Sequence, residues 1–229
     1  MLLGAVGLTG AAGAGGLLWR PKDKGAPHDT YFSALNDLLK REGPGRPVML
    51  LDIDRINTNI DAIADSVGNN KTYRVVVKSL PSVPLLEHVM NRAKTNALMV
   101  FHQPFLNEIA EKFPTADVLL GKPMPLDAAA TFYKKVDETR FDSEKKVQWL
   151  IDSPERLAQY HSLARHLGVK MRVNLEIDVG LRRGGIVTPE AMAPMLKTIR
   201  DNPEHLVLSG LMGYEPHLTG LAATLTHPA

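Results

Sequence analysis

The stretch KMRVNLEIDV, residues Lys170–Val179, decides between two folds for this chain. It is a predicted strand in which polar and apolar side chains alternate, so each type lies on its own face. A central strand of a doubly wound parallel sheet is normally apolar on both faces. A barrel strand can instead turn polar groups into a functional lumen, so this pattern favours a barrel. The polar face consists of Arg172, Asn174, Glu176 and Asp178.

Strand-like and helix-like segments alternate on both sides of this stretch, which indicates βα units and a parallel sheet. Capping signals mark several of the helices, for example Ser153-Pro154 and Thr188-Pro189. A complete barrel has eight strands and about 250 residues, so we predict an incomplete TIM-type (β/α)8 barrel. The seven predicted strands are Val48–Ile53, Arg74–Ser79, Ala97–Phe101, Ala116–Leu120, Val147–Ile151, Lys170–Val179 and Leu206–Gly213.

The composition excludes several classes of protein. The 27 basic residues are interleaved with 25 acidic ones, so the sequence lacks the basic footprint of a nucleic-acid-binding protein. It has no cysteine, which excludes disulfides, thiolate metal sites and a cysteine nucleophile. It contains neither an HExxH nor a GxSxG motif, so it has no sequence signal for a zincin metal site or a serine-hydrolase nucleophile.

The N-terminus differs from the rest of the chain. Residues 1–19, MLLGAVGLTGAAGAGGLLW, carry no charge, and the basic segment RPKDKG follows them. About 20 apolar residues span a bilayer as a helix, and positive flanks stay cytoplasmic. We therefore expect a membrane anchor that holds a cytoplasmic protein at the inner membrane. A secretory signal ranks second because its charge should precede the apolar core, and a disordered or mis-assigned start ranks third.

The remaining chain divides into three predicted segments. Residues 20–47 form a connector with one helix, capped by Asp29 or Thr30. Residues 48–218 form the partial barrel, and residues 219–229 form an irregular tail without periodicity.

Lys78 ends the apolar strand RVVVKS, residues Arg74–Ser79. The carboxyl ends of barrel strands form the face that carries active sites. A lysine in a desolvated seat at that face can be neutral and form a Schiff base with an aldehyde cofactor. A solvated lysine at a strand end is the simpler interpretation of this residue taken alone.

Two further strand ends carry polar or glycine-rich segments. In GLRRGGI, residues Gly180–Ile186, glycines allow a tight turn close to a ligand, and an arginine can donate to a ring nitrogen, carboxylate or phosphate. In GLMGYEPH, residues Gly210–His217, Tyr214 could hydrogen-bond a cofactor, and His217 could act as acid, base or metal ligand. Ordinary loops are the alternative interpretation. Other polar residues after strands are His102 and Asp152.

In this order, the motifs resemble the fold-type III pyridoxal-phosphate (PLP) enzymes, the family of the alanine racemase N-terminal barrel. They resemble most closely its D-serine dehydratase / D-threonine aldolase branch. RPVMLLDIDRINTNI is similar to that branch's first strand and helix. Lys78 stands where the family carries its PLP-binding lysine. GLRRGG resembles the Gly-x-x-Arg-x-Gly turn and GLMGYEPH the strand end whose tyrosine lies near the PLP ring. The PLP-binding residues that the resemblance implies are Lys78, Arg183, Tyr214, Gly180 and Gly185.

The resemblance implies a PLP-dependent lyase that acts on a D-amino acid through a Schiff base on Lys78. An amino-acid racemase of the alanine racemase type is the alternative, and a non-catalytic PLP-binding protein or inactive fragment is another. A barrel without PLP could also use Lys78 with a carbonyl substrate. The resemblance further implies a small-molecule amino-acid substrate and a homodimer for an intact member.

The chain departs from the family at its C-terminal side. Family members continue with the end of the barrel, a glycine-rich segment that grips the PLP phosphate, and a C-terminal β domain. In the dehydratase/aldolase branch that part also holds the metal ligands. The sequence therefore predicts a truncated member without the C-terminal β domain, and it assigns no metal ligand.

Overall fold

A computed structural model of the protein describes residues 25–68 and 70–218. These residues divide into two compact units between Leu51 and Asp52. The first unit contains helix α1 (Thr30–Glu42). Its predicted cap is confirmed, because the Asp29 carboxylate accepts a hydrogen bond from the Phe32 N–H at 2.8 Å.

Two predicted segments, the anchor at residues 1–19 and the tail at residues 219–229, lie outside the described residues. Within the described ranges, no helix is long and apolar enough to cross a membrane.

The second unit alternates strands with helices, as the sequence predicts. Its strands are β1 (Val75–Val76), β2 (Ala97–Val100), β3 (Asp117–Leu120), β4 (Val147–Ile151), β5 (Met171–Glu176) and β6 (Leu206–Met212). Its α-helices are α2 (Ile53–Val67), α3 (Val83–Ala93), α4 (Gln103–Lys112), α5 (Leu126–Lys135), α6 (Ser143–Lys146), α7 (Pro154–Leu167) and α8 (Pro189–Asp201). Two 3-10 turns complete it, Val77–Ser79 and Pro216–Leu218.

The described strands form one parallel sheet in the order β1-β2-β3-β4-β5-β6. Sequential parallel strands with intervening helices are the arrangement of a TIM-type barrel. The described residues supply six of its strands, so the predicted incomplete barrel is confirmed.

The central strands are buried, because they pack against neighbouring strands and against the helices. Every residue of β4 is buried, and Trp149 on that strand has no exposed surface. Its indole N–H donates to the Tyr133 hydroxyl at 3.1 Å. The Tyr160 hydroxyl donates to the Met124 carbonyl at 3.0 Å, so this polar atom is also paired.

Polar side chains near the amino ends of the strands form a connected cluster, which we call the amino-end network (Arg74, Asp117, Gln148 and Arg172). The Asp117 carboxylate pairs with Arg74 and accepts a hydrogen bond from the Gln148 amide at 2.8 Å. Arg172 lies 3.4 Å from the same carboxylate. Two residues beyond Arg172 on β5, the Asn174 amide donates to the Gln148 side-chain oxygen at 2.8 Å.

The predicted polar face of β5 is therefore confirmed, with Asn174 and Glu176 only 4% and 3% exposed. A β-bulge contributes to it, because Val173 pairs with Leu208 and Asn174 with Gly210, which makes Ser209 an extra residue. Arg172 Nε donates to the Ser209 hydroxyl at 3.0 Å. Asp178 lies beyond the end of the strand.

The predicted strand Val48–Ile53 is wrong. Asp52 caps α2, since its carboxylate accepts the Arg55 N–H at 3.0 Å, and the helix begins at Ile53. Among the described residues, Val48–Leu51 has no strand partner, and its side chains are exposed, with Met49 at 85%. An apolar run forms a strand only where a neighbour can pair with it.

The predicted strand Arg74–Ser79 is shorter than expected. Only Val75–Val76 pairs with β2, and the chain then turns as a 3-10 helix over Val77–Ser79, where the Leu80 N–H donates to the Val77 carbonyl at 3.0 Å. In the described part of the chain, no strand pairs with the other side of β1. Lys78 lies in the 3-10 turn, beyond the end of the strand.

Candidate active site

Three of the predicted site residues follow strands at the same edge of the sheet. Lys78 follows β1, Arg183 follows β5, and Tyr214 follows β6. Because all strands are parallel, these residues lie at the carboxyl edge, where barrel enzymes carry their chemistry. In the sheet order, however, β1 is at one end and β5 and β6 are at the other.

Lys78 is exposed and lies over an aromatic ring. Its Nζ is 4.1 Å from the centroid of the Phe101 ring, and Phe101 directly follows β2. Among the described residues, no carboxylate forms an ion pair with Lys78. The desolvated environment predicted for this lysine is not formed, because β1 is an edge strand in the described sheet.

The glycine-rich turn after β5 is built on Asp178. Its carboxylate accepts the backbone N–H groups of Gly180 at 2.9 Å and Arg182 at 3.0 Å. The hydrogen bonds from Arg182 and Gly180 lower the pKa of Asp178. Arg182 adopts a left-handed backbone with φ of 56°, so the turn bends sharply before Arg183.

Gly185 is required by a close approach of backbone to backbone. It has φ of +98°, and a Cβ there would lie 2.9 Å from both the Asp178 nitrogen and the Ile177 carbonyl carbon. The segment crosses back over the strand end, where the Ile186 N–H donates to the Glu176 carbonyl at 2.8 Å. This glycine fixes the turn that positions Arg183.

Arg183 is held between a buried carboxylate and an aromatic ring. Its guanidinium lies 3.2 Å from the Glu176 carboxylate, whose side chain is 4% exposed. Its Cζ lies 4.1 Å from the centroid of the Tyr214 ring. The structure thus brings Arg183 and Tyr214 together, and it adds Glu176 to them. The sequence placed Glu176 on the polar face of β5 but gave no sign that it pairs with Arg183.

The other candidates take different positions. His217 lies in the 3-10 turn after β6, and its Nε2 is 3.3 Å from where a Gly180 Cβ would lie. Its Nδ1 is buried without a hydrogen-bond partner among the described residues. His102 precedes α4, and its ring packs edge-on against Phe105 at 4.2 Å between centroids. Asp152 lies between β4 and the Ser153 cap of α7.

No metal centre is present in the described ranges. Groups of three or more histidine, aspartate or glutamate side chains that could hold a metal ion are absent there. The sequence assigned no metal ligand.

The sequence matches the family model described as alanine racemase, N-terminal domain, over residues 51–226. The chain belongs to the alanine racemase N-terminal domain family. This family consists of PLP-binding barrels of fold type III, so the resemblance in the motifs is confirmed. No curated protein matches the sequence.

Solved structures support the same fold. Alanine racemase from Bacillus anthracis with bound L-Ala-P has a TM-score of 0.59 and 17% identity, over 78% of this chain and 46% of that one. Histidine racemase from Leuconostoc mesenteroides subsp. sake has a TM-score of 0.57 and 11% identity, over 76% and 48%. Alanine racemase from Oenococcus oeni has a TM-score of 0.55 and 14% identity, over 69% and 43%.

The chain spans less than half the length of each of the three structures. At these identities the likeness concerns the fold, and the three proteins are racemases, so the predicted lyase activity is not confirmed.

The residues at the carboxyl edge fit the family's cofactor. PLP carries an aldehyde, a ring nitrogen, a phenolic oxygen and a phosphate, and these need an amine and hydrogen-bond donors. Lys78 supplies an amine that forms no ion pair with a described carboxylate. Arg183 supplies hydrogen-bond donors in an orientation fixed by Glu176. Tyr214 is 47% exposed beside it, so its ring and hydroxyl are accessible.

Proposed function

We propose that this protein binds PLP covalently through Lys78 and supplies the cofactor site of an amino-acid racemase. One observation carries the proposal. Lys78 follows β1 at the carboxyl edge, where barrel enzymes carry their chemistry, in a chain that belongs to the alanine racemase N-terminal domain family. Small-molecule amino acids are the proposed substrates, and a homodimer is the proposed assembly.

Arg183, Tyr214, Gly180 and Gly185 are the other residues that we assign to the cofactor. Arg183 can donate to an acceptor on the PLP ring or phosphate, because Glu176 and the Tyr214 ring fix its guanidinium. Gly180 and Gly185 have positive φ and let the turn pass close to a ligand. Bound PLP would act as an electron sink for a bond broken at the substrate Cα.

A racemase must remove a proton at one face of the substrate and deliver one at the other. The Lys78 amine can carry one of these protons once a substrate amine has replaced it. The His217 imidazole, beside the Gly-rich turn, is a second group that can hold a proton, and its Nδ1 has no partner among the described residues. Two proton carriers after different strands support a racemase.

The lyase predicted from the motifs stays a second candidate, supported by GLRRGG and GLMGYEPH. Both reactions begin with the same covalent cofactor and differ in the bond that breaks and in where the proton goes. D-serine separates them, since a dehydratase releases pyruvate and ammonia whereas a racemase yields L-serine.

Borohydride trapping tests the cofactor assignment. Purified protein is mixed with PLP, its visible spectrum is recorded, and borohydride is added before peptide mass spectrometry. We expect a reduced PLP adduct on Lys78 in wild type and its loss in Lys78→Ala. Lys122→Ala is the matched control, because Lys122 is an exposed lysine that follows β3 at the same edge. An equal adduct yield in wild type and Lys78→Ala would remove Lys78 from its role.

Product analysis then tests the reaction. Protein with PLP is incubated separately with L-alanine, L-histidine and D-serine, and enantiomers are separated by chiral chromatography. We expect the opposite enantiomer of at least one amino acid, with loss of turnover in Lys78→Ala. Pyruvate from D-serine without L-serine would replace the racemase by the lyase.

A further inference from the structure

A contact between Lys78 and Phe101 fixes the position of the amine. The Nζ of Lys78 lies 4.1 Å from the centroid of the Phe101 ring. A cation over the face of an aromatic ring is attracted by the ring quadrupole. An exposed lysine has a flexible four-carbon stem and otherwise samples many rotamers. The ring therefore limits where the Lys78 amine points.

Phe101 can occupy this place because residue 121 is glycine. A Cβ at Gly121 would lie 2.4 Å from Cζ of Phe101 and 2.9 Å from Cγ of Met99. The Gly121 N–H donates to the Val100 carbonyl at 2.9 Å, so the two chain segments stay paired just beyond β2 and β3. Gly121 is not among the glycines with positive φ. Space beside the ring, and not backbone freedom, is what requires a glycine here.

We propose that Phe101 is a positioning residue for Lys78 and that Gly121 leaves the space in which the Phe101 ring lies. This inference rests on the proposed function, in which the Lys78 amine captures PLP. The ring keeps the amine at the carboxyl edge without a carboxylate partner among the described residues. Only a neutral amine attacks an aldehyde, so the Lys78 ammonium first loses a proton to solvent, but it has no ion pair with a described carboxylate to break.

The contact has a direct spectroscopic readout. Reductive methylation with ¹³C-formaldehyde places methyl groups on the lysines, and Lys78→Arg identifies the Lys78 signal. We expect this signal to be shifted upfield by the ring current of Phe101. The shift should vanish in Phe101→Leu, persist in Phe101→Tyr, and be reduced in Gly121→Ala, whose methyl group displaces the ring.

Phe105→Leu is the matched control. It removes a neighbouring ring that packs on His102. The Lys78 signal should keep its shift in this variant, and the remaining lysine signals show whether each variant is folded. A Lys78 signal that is the same in wild type and Phe101→Leu would overturn the contact.

The rate of PLP capture gives the second readout. Borohydride-trapped adduct on Lys78 is measured over time in wild type and in the same variants. A cation–π contact attracts an ammonium group, whereas the neutral amine is the nucleophile, so the variants are compared by the rate constant of the neutral amine, obtained from the pH dependence of capture. We expect this rate constant to fall about two- to fivefold in Phe101→Leu and Gly121→Ala, through the loss of one orienting contact. Phe101→Tyr should restore it, because its ring retains the same face.

The two readouts separate this inference from the proposed function. A wild type that shows the shifted signal but traps no PLP on Lys78 contradicts the proposed function. A wild type that traps PLP at a rate that Phe101→Leu does not change contradicts the positioning role of Phe101.

Discussion

The two ends of the sheet use charged residues in different ways. In the amino-end network, the Asp117 carboxylate has Arg74, Gln148 and Arg172 as partners, contributed by three other strands or strand ends. At the carboxyl edge, Lys78 contacts a ring, and His217 Nδ1 has no hydrogen-bond partner in the described part of the chain. The amino-end charges pair across strands, whereas at the carboxyl edge Arg183 pairs with Glu176 of the preceding strand and Lys78 pairs with no described carboxylate. Barrel active sites lie at the carboxyl edge of the strands, and this is the edge at which we propose that PLP binds.

Removal of Asp117 should have the largest effect on stability. Asp117→Ala leaves the Arg74 and Arg172 guanidinium groups without their shared carboxylate. Their side chains are only 21% and 27% exposed. We expect the free energy of unfolding to fall by about 2–3 kcal/mol, somewhat less than for a fully buried pair. Urea unfolding followed by circular dichroism measures the change.

Asp61→Ala is the control for this prediction. Asp61 pairs with Arg92 through two hydrogen bonds of 2.8 and 2.6 Å, but both side chains are exposed. An exposed pair contributes little because water and salt screen its charges, so we expect a much smaller loss than in Asp117→Ala. Equal losses in Asp117→Ala and Asp61→Ala would mean that the amino-end network adds no more stability than a surface ion pair.

Gly185→Ala should have the next largest effect, at the opposite end of the sheet. A methyl group there meets the Ile177 carbonyl carbon and the Asp178 nitrogen, and the backbone has φ of +98°. We expect a loss of about 2 kcal/mol in the free energy of unfolding. Gly168→Ala separates the two causes, because Gly168 has φ of +66° and no atom within 4 Å of its Cβ position. If the free energy of unfolding falls no more than in Gly168→Ala, the close contact of a Gly185 Cβ with the Ile177 and Asp178 backbone does not destabilise the fold.

Lowering the pH should reduce the contributions of Asp117 and Asp178 to the free energy of unfolding by different amounts. This difference is the smallest of the effects that we predict. Burial raises the pKa of Asp117, but hydrogen bonds from Arg74 and Gln148 and the charges of Arg74 and Arg172 outweigh it and lower the pKa below 3.8. A carboxylate with a lowered folded-state pKa stabilises the fold above its unfolded pKa. This contribution disappears as the pH falls through the folded value.

Urea unfolding from about pH 7 to about pH 3 measures this dependence. We expect the free energy of unfolding to fall less with acid in Asp117→Asn than in wild type, because the lowered pKa of Asp117 is the source of part of that fall. Asp178→Asn should change the pH dependence of the free energy of unfolding less, because Asp178 is solvated and forms hydrogen bonds only within its own turn. An equal change in the pH dependence of the free energy of unfolding in the two variants would contradict the distinction between the two ends of the sheet.

The sequence predicted the central strands well, and the reason is physical. Val147–Ile151 was predicted with its observed bounds, because a strand buried on both faces reads as a continuous apolar run. The helix starts at Pro154 and Pro189 were predicted from capping chemistry that acts within one turn. The sheet edges were predicted less well. Val48–Ile53 and Arg74–Ser79 have the same apolar character, but strand formation also needs a pairing neighbour.

The candidate site was predicted in part. Lys78, Arg183 and Tyr214 were chosen because motif order placed them after strands, and all three lie at the carboxyl edge. The partners of these residues were not predicted. Glu176 lies seven residues from Arg183 in sequence, and Phe101 reaches Lys78 from the next strand. Only a structure shows which of many polar or aromatic residues makes such a contact.

The sequence by itself determined the barrel fold, the family and the lysine that we assign to PLP, because periodicity, caps and motif order are local properties of a chain. The tertiary structure decided how these residues are held. It placed Arg183 between Glu176 and Tyr214, and it placed Lys78 on a ring for which Gly121 leaves room. Distances between side chains on different strands depend on sheet register and packing, which no single segment encodes.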